Sequence, residues 1–556
     1  MTNITECMTI EECMTIIEDK QNGLSLLSDE DMKLVYEKVG NGTFNKPLPP
    51  LPVDEEEEPK YDLKSIDFHS PTDLYYSELY MKYNKDNIKI ICDKPFHYYI
   101  WDVKKLLWCN GSKAELQLHI ADFLRMLYTK LNDITTLPIK NETETKKKKE
   151  ITDKDLIYGC IKHLGMSKNI NAICSFVIGN SKDVKFESEL LNKSIYELPI
   201  SNGRIINLQT LKITPRTKKH YFNTSLDVEY KPYYRKDEVV EFMMELMDND
   251  KDKVLFLQKL FGYFMTGDIS DRSIYIFHGE GLNGKSSLMK IFQSIMGSVF
   301  ITSLKDDALM KKKNESSATP EIMALMTSRC SIMPESEKDE EFNSKRIKTF
   351  TGDDKIRGRH LYKDEVEFYT QSKIVLPTNW KPKIKNLDDK AFLDRLKLIP
   401  FNHRFKKDDE EGKAKVKNLQ TNFLNDFFSY FCEGAQMFIK DKDLKPTKDM
   451  IIALNEYQND NNYISDFINT YYIKITQDEY NSTHNSEKIN NRIRKSTIYE
   501  KYSKLTNDPL TAREFHKECG KYLTELKTSG GVMFYMCKDM NKVVVNDVVE
   551  TPNTLN

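Results

Sequence analysis

An eight-residue glycine-rich turn near the middle of the chain constrains its fold more than any other feature. Residues 279–286 match the pattern G-x-x-x-x-G-K-[ST] at every position. A strand candidate, Ser273–Phe277, precedes the turn, and an amphipathic helix candidate, Lys285–Met296, follows it. Strand, turn and helix in this order are the setting in which the pattern binds nucleotide phosphates. The residues that we expect to hold the nucleotide are Gly279, Glu280, Gly281, Leu282, Asn283, Gly284, Lys285, Ser286 and Ser287.

The residue types in this turn each have a chemical reason. Glycines let backbone N–H groups approach the phosphate oxygens closely. We expect the ammonium group of Lys285 to neutralise the β- and γ-phosphates and the hydroxyl of Ser286 to bind Mg²⁺. The sequence therefore predicts a site for ATP and Mg²⁺.

Two later strand candidates supply further polar groups. Cys330–Met333 runs into Glu335 and Glu337, and Lys373–Thr378 ends at Asn379. Side chains at the carboxyl ends of parallel strands point into the nucleotide crevice. We expect Glu335 or Glu337 to activate the attacking water, Glu335 also to hold the metal ion, and Asn379 to bond the γ-phosphate or that water. The choice between the two glutamates stays open, as does a solvated loop for the whole acidic cluster.

Charge is divided unevenly along the 556 residues. The whole chain has 83 Lys and Arg against 85 Asp and Glu, for a net charge of −2. Residues 1–60 hold 14 acidic and 5 basic residues, or −9, so the rest of the chain carries +7. Near-neutrality therefore does not exclude a nucleic-acid partner. The acidic, proline-rich segment 1–60 is predicted to be a disordered tail.

Membrane and secreted classes are disfavoured by the same sequence. No apolar run approaches the roughly 18 residues that a membrane span needs, and the N-terminus lacks the pattern of a signal peptide. The ten cysteines include no C-x-x-C pair, which favours scattered reduced thiols. We expect an intracellular protein without a membrane partner.

Three further segments are predicted to follow the tail. Residues 61–235 form a mixed α/β N-terminal domain, in which the aromatic run Phe96–Asp102 is expected to build core rather than to stack on bases. Residues 236–415 form the nucleotide-binding core, beginning with one helix-like apolar stretch, Val239–Met265. Residues 416–556 form a helical C-terminal region, in which Val532–Cys537 and Lys542–Val545 are predicted to pair as a hairpin joined by 538–541.

Segments on both sides of the glycine-rich turn form an ordered set. They are Leu260–Asp268, Lys348–Ile356, Arg359, Leu361–Lys363, Arg395–Leu396 and Ile399–Phe401. With the turn among them, this set resembles superfamily 3 helicases, specifically the poxvirus-type primase-helicase family of large DNA viruses, phages and plasmids. Ser201–Leu208 and Thr224–Tyr230 resemble that family's helicase-associated N-terminal domain, and Ile498–Tyr502 and Arg513–Leu523 resemble its winged-helix-like end.

The resemblance implies an α/β fold with an AAA+-like P-loop ATPase core, and it implies roles for several cations. Lys355, Arg357 and Arg359 become candidate contacts to DNA phosphates on a hairpin in a central channel. Arg395, or alternatively Arg404, becomes the arginine finger that reaches the γ-phosphate of a neighbouring subunit. A finger supplied by a neighbour implies a ring, and members of this family are typically hexamers.

We therefore expect an ATP-dependent replicative DNA helicase that translocates on single-stranded DNA at a replication fork as a homo-hexamer. Because family-like sequence begins near residue 85, we expect no primase domain in this chain and a separate primase and other replication proteins as partners. If the protein is viral, it would act in the host cytoplasm or at a viral replication site. Two alternatives stay open: a P-loop nucleotide kinase, and a non-translocating replication scaffold that binds DNA and is switched by ATP.

Overall fold

The chain folds into two compact units. The computed structural model describes residues 61–93, 96–135, 152–180, 183, 185–305, 308–311, 320–338, 340–359, 365–385, 387–406, 409–461, 463–506, 510–528 and 530–540. Among these, the first unit takes residues up to 382 and 394–451, and the second takes 383–393 and the residues from 452 onward. The predicted tail, 1–60, lies outside the described residues. In the described ranges, no helix combines the length and apolar character that a bilayer span requires.

Four helices and a three-stranded antiparallel sheet open the first unit. The helices are α1 (Asp73–Asn84), α2 (Lys113–Ile134), α3 (Asp153–His163) and α4 (Ser167–Asn180). The strands, in sheet order, are β1 (Ile88–Asp93), β2 (Phe96–Asp102) and β3 (Leu107–Gly111). Tyr98 and Trp101 of the aromatic run are only 1% and 8% exposed. The prediction that this run builds core is confirmed.

A second antiparallel sheet leads to two apolar helices. Its strands are β4 (Glu197–Ile200), β5 (Arg204–Asn207) and β6 (Ile213–Pro215), and the helices are α5 (Lys236–Leu246) and α6 (Lys251–Met265). The prediction of one helix-like stretch over Val239–Met265 is wrong. Asp248 and Asn249 both adopt left-handed backbone conformations, which these two residue types tolerate better than most. Asp250 then caps α6 by accepting from the N–H groups of Asp252 and Lys253.

A five-stranded parallel sheet forms the centre of the first unit. Its strands, in order across the sheet, are Leu396–Pro400, Ile274–His278, Lys373–Thr378, Cys330–Ile332 and Ile301–Ser303. The strands from this part of the chain are β7 (Ile274–His278), β8 (Ile301–Ser303), β9 (Cys330–Ile332), β10 (Ile356–Arg359), β11 (Glu365–Phe368), β12 (Lys373–Thr378) and β13 (Leu396–Pro400). Strands β10 and β11 pair with each other as a separate antiparallel ribbon.

Helices cover this sheet and complete its core. They are α7 (Lys285–Phe300), α11 (Glu410–Asn422) and α12 (Leu424–Asp441). The other helices of the first unit here are α8 (Pro320–Met323) and α9 (Ser344–Phe350), whereas α10 (Lys390–Leu393) and the part of α13 (Lys448–Asp460) from residue 452 belong to the second unit. Aromatic rings join the layers, since the ring of Phe261 on α6 stacks on Phe431 of α12 and meets Phe292 of α7 edge-on, both at 5.0 Å between centroids. This packing holds α7, and therefore the turn before it, against the sheet.

The second unit contains short helices and two small antiparallel sheets. Its further elements are α14 (Tyr463–Tyr471), β14 (Tyr472–Lys474), α15 (Gln477–Ser482), β15 (Ile493–Arg494), α16 (Lys495–Leu505), α17 (Ala512–Cys519), β16 (Glu525–Lys527), β17 (Met533–Tyr535) and β18 (Cys537–Asp539). The predicted hairpin was placed wrongly. Strand β17 pairs with β16 before it, and the predicted connection contains part of β18, which pairs with β14. The predicted strand Lys542–Val545 lies outside the described residues.

Candidate nucleotide-binding site

The glycine-rich turn joins the end of β7 to the first residue of α7. Three of its residues have positive φ angles: Gly281 at 90°, Leu282 at 50° and Gly284 at 76°. Gly284 also lies so close to a neighbouring helix that a Cβ atom there would come within 2.2 Å of Leu246 Cδ1. A short loop that curls through left-handed conformations at a helix N-terminus turns its N–H groups inward, as anion binding requires.

Lys285 lies at the centre of this turn and is 5% exposed. Its Nζ donates to the carbonyl oxygen of Gly279 at 2.6 Å and to Oδ1 of Asn379 at 3.0 Å. Burial lowers the pKa of the Lys285 ammonium to about 8, and the carboxylate of Glu335 opposes that shift. The residue is therefore a pre-positioned cation whose charge is only partly compensated by neutral oxygens.

A cavity of about 460 Å³ lies over the turn. It is within the range of roughly 300–1,000 Å³ that small-molecule sites occupy. Its lining comprises Gly281, Leu282, Asn283, Gly284, Lys285, Ser286, Ser287, Glu335, Pro377, Thr378 and Asn379. Of the residues predicted to hold a nucleotide, Gly279 contributes through its carbonyl bond to Lys285, and Glu280 is exposed beside the cavity rather than in its lining.

Strands β9 and β12 are parallel neighbours, and their carboxyl ends bring Glu335 and Asn379 together. Glu335 Oε1 accepts from the backbone N–H of Asn379 at 3.0 Å. Glu337 is exposed and does not line the cavity, and its own N–H donates to Glu340 at 2.9 Å. The geometry thus separates the two glutamates that the sequence left as alternatives for activating water.

Other residues that support this edge were missed by sequence reasoning. Ser336 is buried between the two glutamates, its Oγ 2.6 Å from Thr378 Oγ1, and both hydroxyls bond the carbonyl of Trp380. Alternation along an extended segment could have indicated that the residue between two exposed glutamates faces inward.

His278, the last residue of β7, is a second residue that the sequence did not single out. Burial, together with the ammonium groups of Lys381 and Lys285, lowers the pKa of His278 to about 4. The imidazole is therefore neutral near pH 7, which avoids a second positive charge beside Lys285.

Arg395 lies where the strands of the parallel sheet begin, at the opposite end from the cavity. It precedes β13, and its carbonyl accepts from Ile274 N–H at the start of β7. Five residue steps along β7 separate Ile274 from Gly279, which corresponds to roughly 17 Å. Its guanidinium donates from Nε to Thr351 Oγ1 at 3.1 Å and borders a second cavity of about 390 Å³, with Arg272, Lys345, Lys348, Thr349, Gly352, Asp353 and Asp354.

Arg404, the alternative finger, lies at the nucleotide edge of the sheet instead. It is exposed, and the next residue, Phe405, donates its N–H to the carbonyl of Leu282 at 2.8 Å. The segment that carries Arg404 therefore packs beside the glycine-rich turn of its own chain, whereas Arg395 does not.

The predicted DNA contacts lie on the β10–β11 ribbon. Arg357 and Arg359 are exposed on β10, and Lys355 precedes it. Arg357 Nε lies 2.7 Å from Glu367 Oε1 across the ribbon, and Arg359 lies opposite Glu365. The three cations thus share one exposed face, but carboxylates oppose two of them.

Oxygen ligands of the kind that Mg²⁺ prefers are present at the nucleotide cavity. Ser286 supplies a hydroxyl and Glu335 a carboxylate, both in the lining, and Lys285 supplies the adjacent positive charge. The donor set therefore fits a magnesium–nucleotide complex, with the residues that the sequence predicts.

Comparisons with known proteins match the region of the chain that contains this site. Residues 277–395 match a family of unknown function, DUF5906. A protein of Acanthamoeba polyphaga mimivirus, provisionally named helicase L207/L206, is 28% identical over 286 residues, which is 50% of this chain and 29% of the relative. Primase D5 of fowlpox virus (strain NVSL) is 24% identical over 220 residues, 37% of this chain and 26% of the relative. The matched region spans less than a third of the length of these relatives.

Among solved structures, the apo form of the NrS-1 C-terminal region (305-718) aligns over 84% of this chain and 99% of its own length, at 13% identity and a TM-score of 0.42. The sequence relatives come from several large DNA viruses, among them invertebrate iridescent virus 3, whose matching protein is 24% identical over 227 residues, 39% of this chain and 24% of the relative. The motif order and these relatives together confirm the chain's resemblance to the poxvirus-type primase-helicase family of large DNA viruses.

Proposed function

We propose that the chain is an ATP-dependent DNA helicase of superfamily 3, with an AAA+-like P-loop core, that works on single-stranded DNA as a ring. One observation carries the proposal. Lys285, Glu335 and Asn379 come from three separate segments and meet in one cavity at the carboxyl edge of a parallel sheet. That arrangement supports phosphoryl transfer, in which positioning and electrostatic stabilisation supply most of the catalysis.

Each residue has a role in this proposal. The N–H groups of the turn and Lys285 hold the β- and γ-phosphates, and Lys285 exchanges its bonds to Gly279 and Asn379 for bonds to phosphate oxygens. Glu335 accepts a proton from the attacking water. Asn379 is then free to bond the γ-phosphate. When bound, Mg²⁺ would neutralise phosphate charge between Ser286 and Glu335.

The position of Arg395 supports a ring. It lies roughly 17 Å along the strands from its own turn, a gap that one side chain does not span. A neighbouring copy could bring its Arg395 to the open side of the cavity, and a finger supplied in this way is worth a factor of 10³–10⁵ in rate. We take Arg395 as the finger acting on a neighbour, with a hexamer as the proposed assembly.

The relatives support DNA as the partner. Their names include helicases and a primase, all from large DNA viruses. We extend this to a role in viral DNA replication, with a separate primase and other replication proteins as proposed partners.

The test is ATP hydrolysis measured with and without single-stranded DNA, on material of established ring size. We expect DNA to stimulate hydrolysis and Lys285→Ala to abolish it, because the β- and γ-phosphates lose their buried cation. Phosphate transfer to a nucleotide acceptor without DNA stimulation would favour a kinase. Rings that bind DNA but hydrolyse ATP no faster with it would favour an ATP-switched scaffold.

A further inference from the structure

An aromatic ring lies beside a cation at the foot of the β10–β11 ribbon, which we define as the end formed by the pair Ile356 and Phe368. Across the ribbon, Ile356 pairs with Phe368, so Lys355 and Tyr369 flank the last pair of the ladder. Lys355 Nζ lies 5.6 Å from the centroid of the Tyr369 ring. Lys355 therefore faces a ring, whereas Arg357 and Arg359 face carboxylates.

Tyr369 is exposed although its surroundings are well packed. Its side chain is 56% exposed, while its neighbours Phe368 and Thr370 are 2% and 4% exposed. Its carbonyl accepts from Lys193 Nζ at 3.2 Å. The backbone on both sides is thus anchored, and the ring projects to solvent from a fixed point rather than from a loose loop.

Core packing does not account for this ring. The other face of the ribbon carries the buried contacts: Ile356 is 2% exposed, and a Cβ atom at Gly358 would come within 2.6 Å of Met323 Sδ. A rigidly held, exposed aromatic ring beside a cation is the arrangement that stacks on unpaired bases and holds the adjoining phosphate.

We propose that Tyr369 is a base-stacking platform for single-stranded DNA, with Lys355 holding the adjacent phosphate. This inference rests on the proposed function. A ring can stack only on a base whose face is free, so this contact discriminates single strands from duplex. The carboxylates of Glu365 and Glu367 reduce the attraction of Arg357 and Arg359 for phosphate, which leaves the foot of the ribbon as the stronger contact.

The test is the affinity of the full chain, with a non-hydrolysable ATP analogue, for fluorescein-labelled oligo-dT and for a duplex of equal length. We expect Tyr369→Ala to weaken oligo-dT binding roughly fivefold to 150-fold, the range for loss of one stacked base. Duplex binding and the salt dependence should stay unchanged, because no phosphate contact is lost. Tyr369→Phe, which keeps the ring, should bind like wild type.

Three further variants separate stacking from charge and from general surface effects. Lys355→Ala should reduce the slope of log affinity against log salt by about 0.7, the value for one phosphate on a single strand. Tyr158→Ala removes another exposed tyrosine, 69% exposed on α3, and should have no effect. In Tyr369→Trp, oligo-dT should quench the new indole emission and duplex should not.

Three results would overturn the inference. Wild-type affinity in Tyr369→Ala, or equal losses for oligo-dT and duplex, would show that the ring does not stack. Failure of the wild-type chain to bind oligo-dT at all would overturn the proposed function as well, so the two failures are distinguishable.

Discussion

Glu335 and Glu337 are two positions apart in the sequence but lie in different surroundings. Glu335 lines the cavity over the glycine-rich turn and accepts from the N–H of Asn379, whereas Glu337 is exposed and does not line that cavity. We expect Glu335→Gln to lower kcat for ATP hydrolysis by about 10²–10⁴, because an amide cannot take a proton from water. Glu337→Gln is the matched control and should keep wild-type kcat.

Trp380 offers a way to measure nucleotide binding in these variants. It is 52% exposed beside Asn379, whereas Trp101 and Trp108, the other tryptophans, are buried. Its emission should change when nucleotide binds, and Glu335→Gln should give nearly wild-type affinity by this signal. Loss of kcat in Glu337→Gln comparable to that in Glu335→Gln would contradict the assignment.

At the scale of elements, the crossing of α6 and α12 depends on two glycines. A Cβ atom at Gly262 would lie 2.0 Å from Ala435 N, and one at Gly434 would lie 2.0 Å from Gln258 O. We expect Gly262→Ala or Gly434→Ala to lower the free energy of unfolding by about 1–3 kcal/mol or more, because the backbones must separate.

Thermal melting followed by circular dichroism checks this prediction. Gly159→Ala is the control, since Gly159 is also within a helix but has no atom within 4 Å of its Cβ position. That change should raise stability by up to about 1 kcal/mol through helix propensity. Equal melting temperatures for Gly262→Ala and wild type would show that the helices can move apart without cost.

The two errors in element prediction have physical reasons. Met247–Asp250 interrupts an apolar run, and the break depends on two left-handed residues whose cost is small for Asp and Asn. The hairpin was misplaced because strand pairing depends on long-range packing: Met533–Tyr535 pairs with Glu525–Lys527 on one side and with Ile493–Arg494 on the other.

At the scale of the whole molecule, the parallel sheet separates Arg395 from the cavity of its own chain. We expect Lys285→Ala and Arg395→Ala each to be inactive alone, because one loses the phosphate cation and the other the finger. When the two variants are co-expressed, some interfaces of a mixed ring join an Arg395→Ala subunit to a Lys285→Ala subunit. There the Arg395→Ala subunit supplies an intact cavity and the Lys285→Ala subunit supplies the arginine. Activity should then return to about a quarter of wild type if interfaces form at random and act independently.

Steady-state ATPase of the mixed rings with single-stranded DNA measures this recovery. Arg404→Ala is the control, because Arg404 lies beside the turn of its own chain. If Arg404 acts within its own subunit, mixing Arg404→Ala with Lys285→Ala should restore nothing. No recovery with Arg395→Ala, or full activity of Arg395→Ala alone, would rule out Arg395 as a finger supplied by a neighbour.

The turn, the strand before it and the helix after it were predictable from the sequence alone, since the spacing of Gly279, Gly284 and Lys285 is a local property. So were the strand ending at Thr378 and the resemblance to viral helicases, which rests on motif order. Only the tertiary structure separated Glu335 from Glu337, placed Arg395 at the far edge of the sheet, and left Tyr369 exposed on a packed backbone. These three features depend on which distant segments pair and pack against each other, and a local sequence pattern does not encode that.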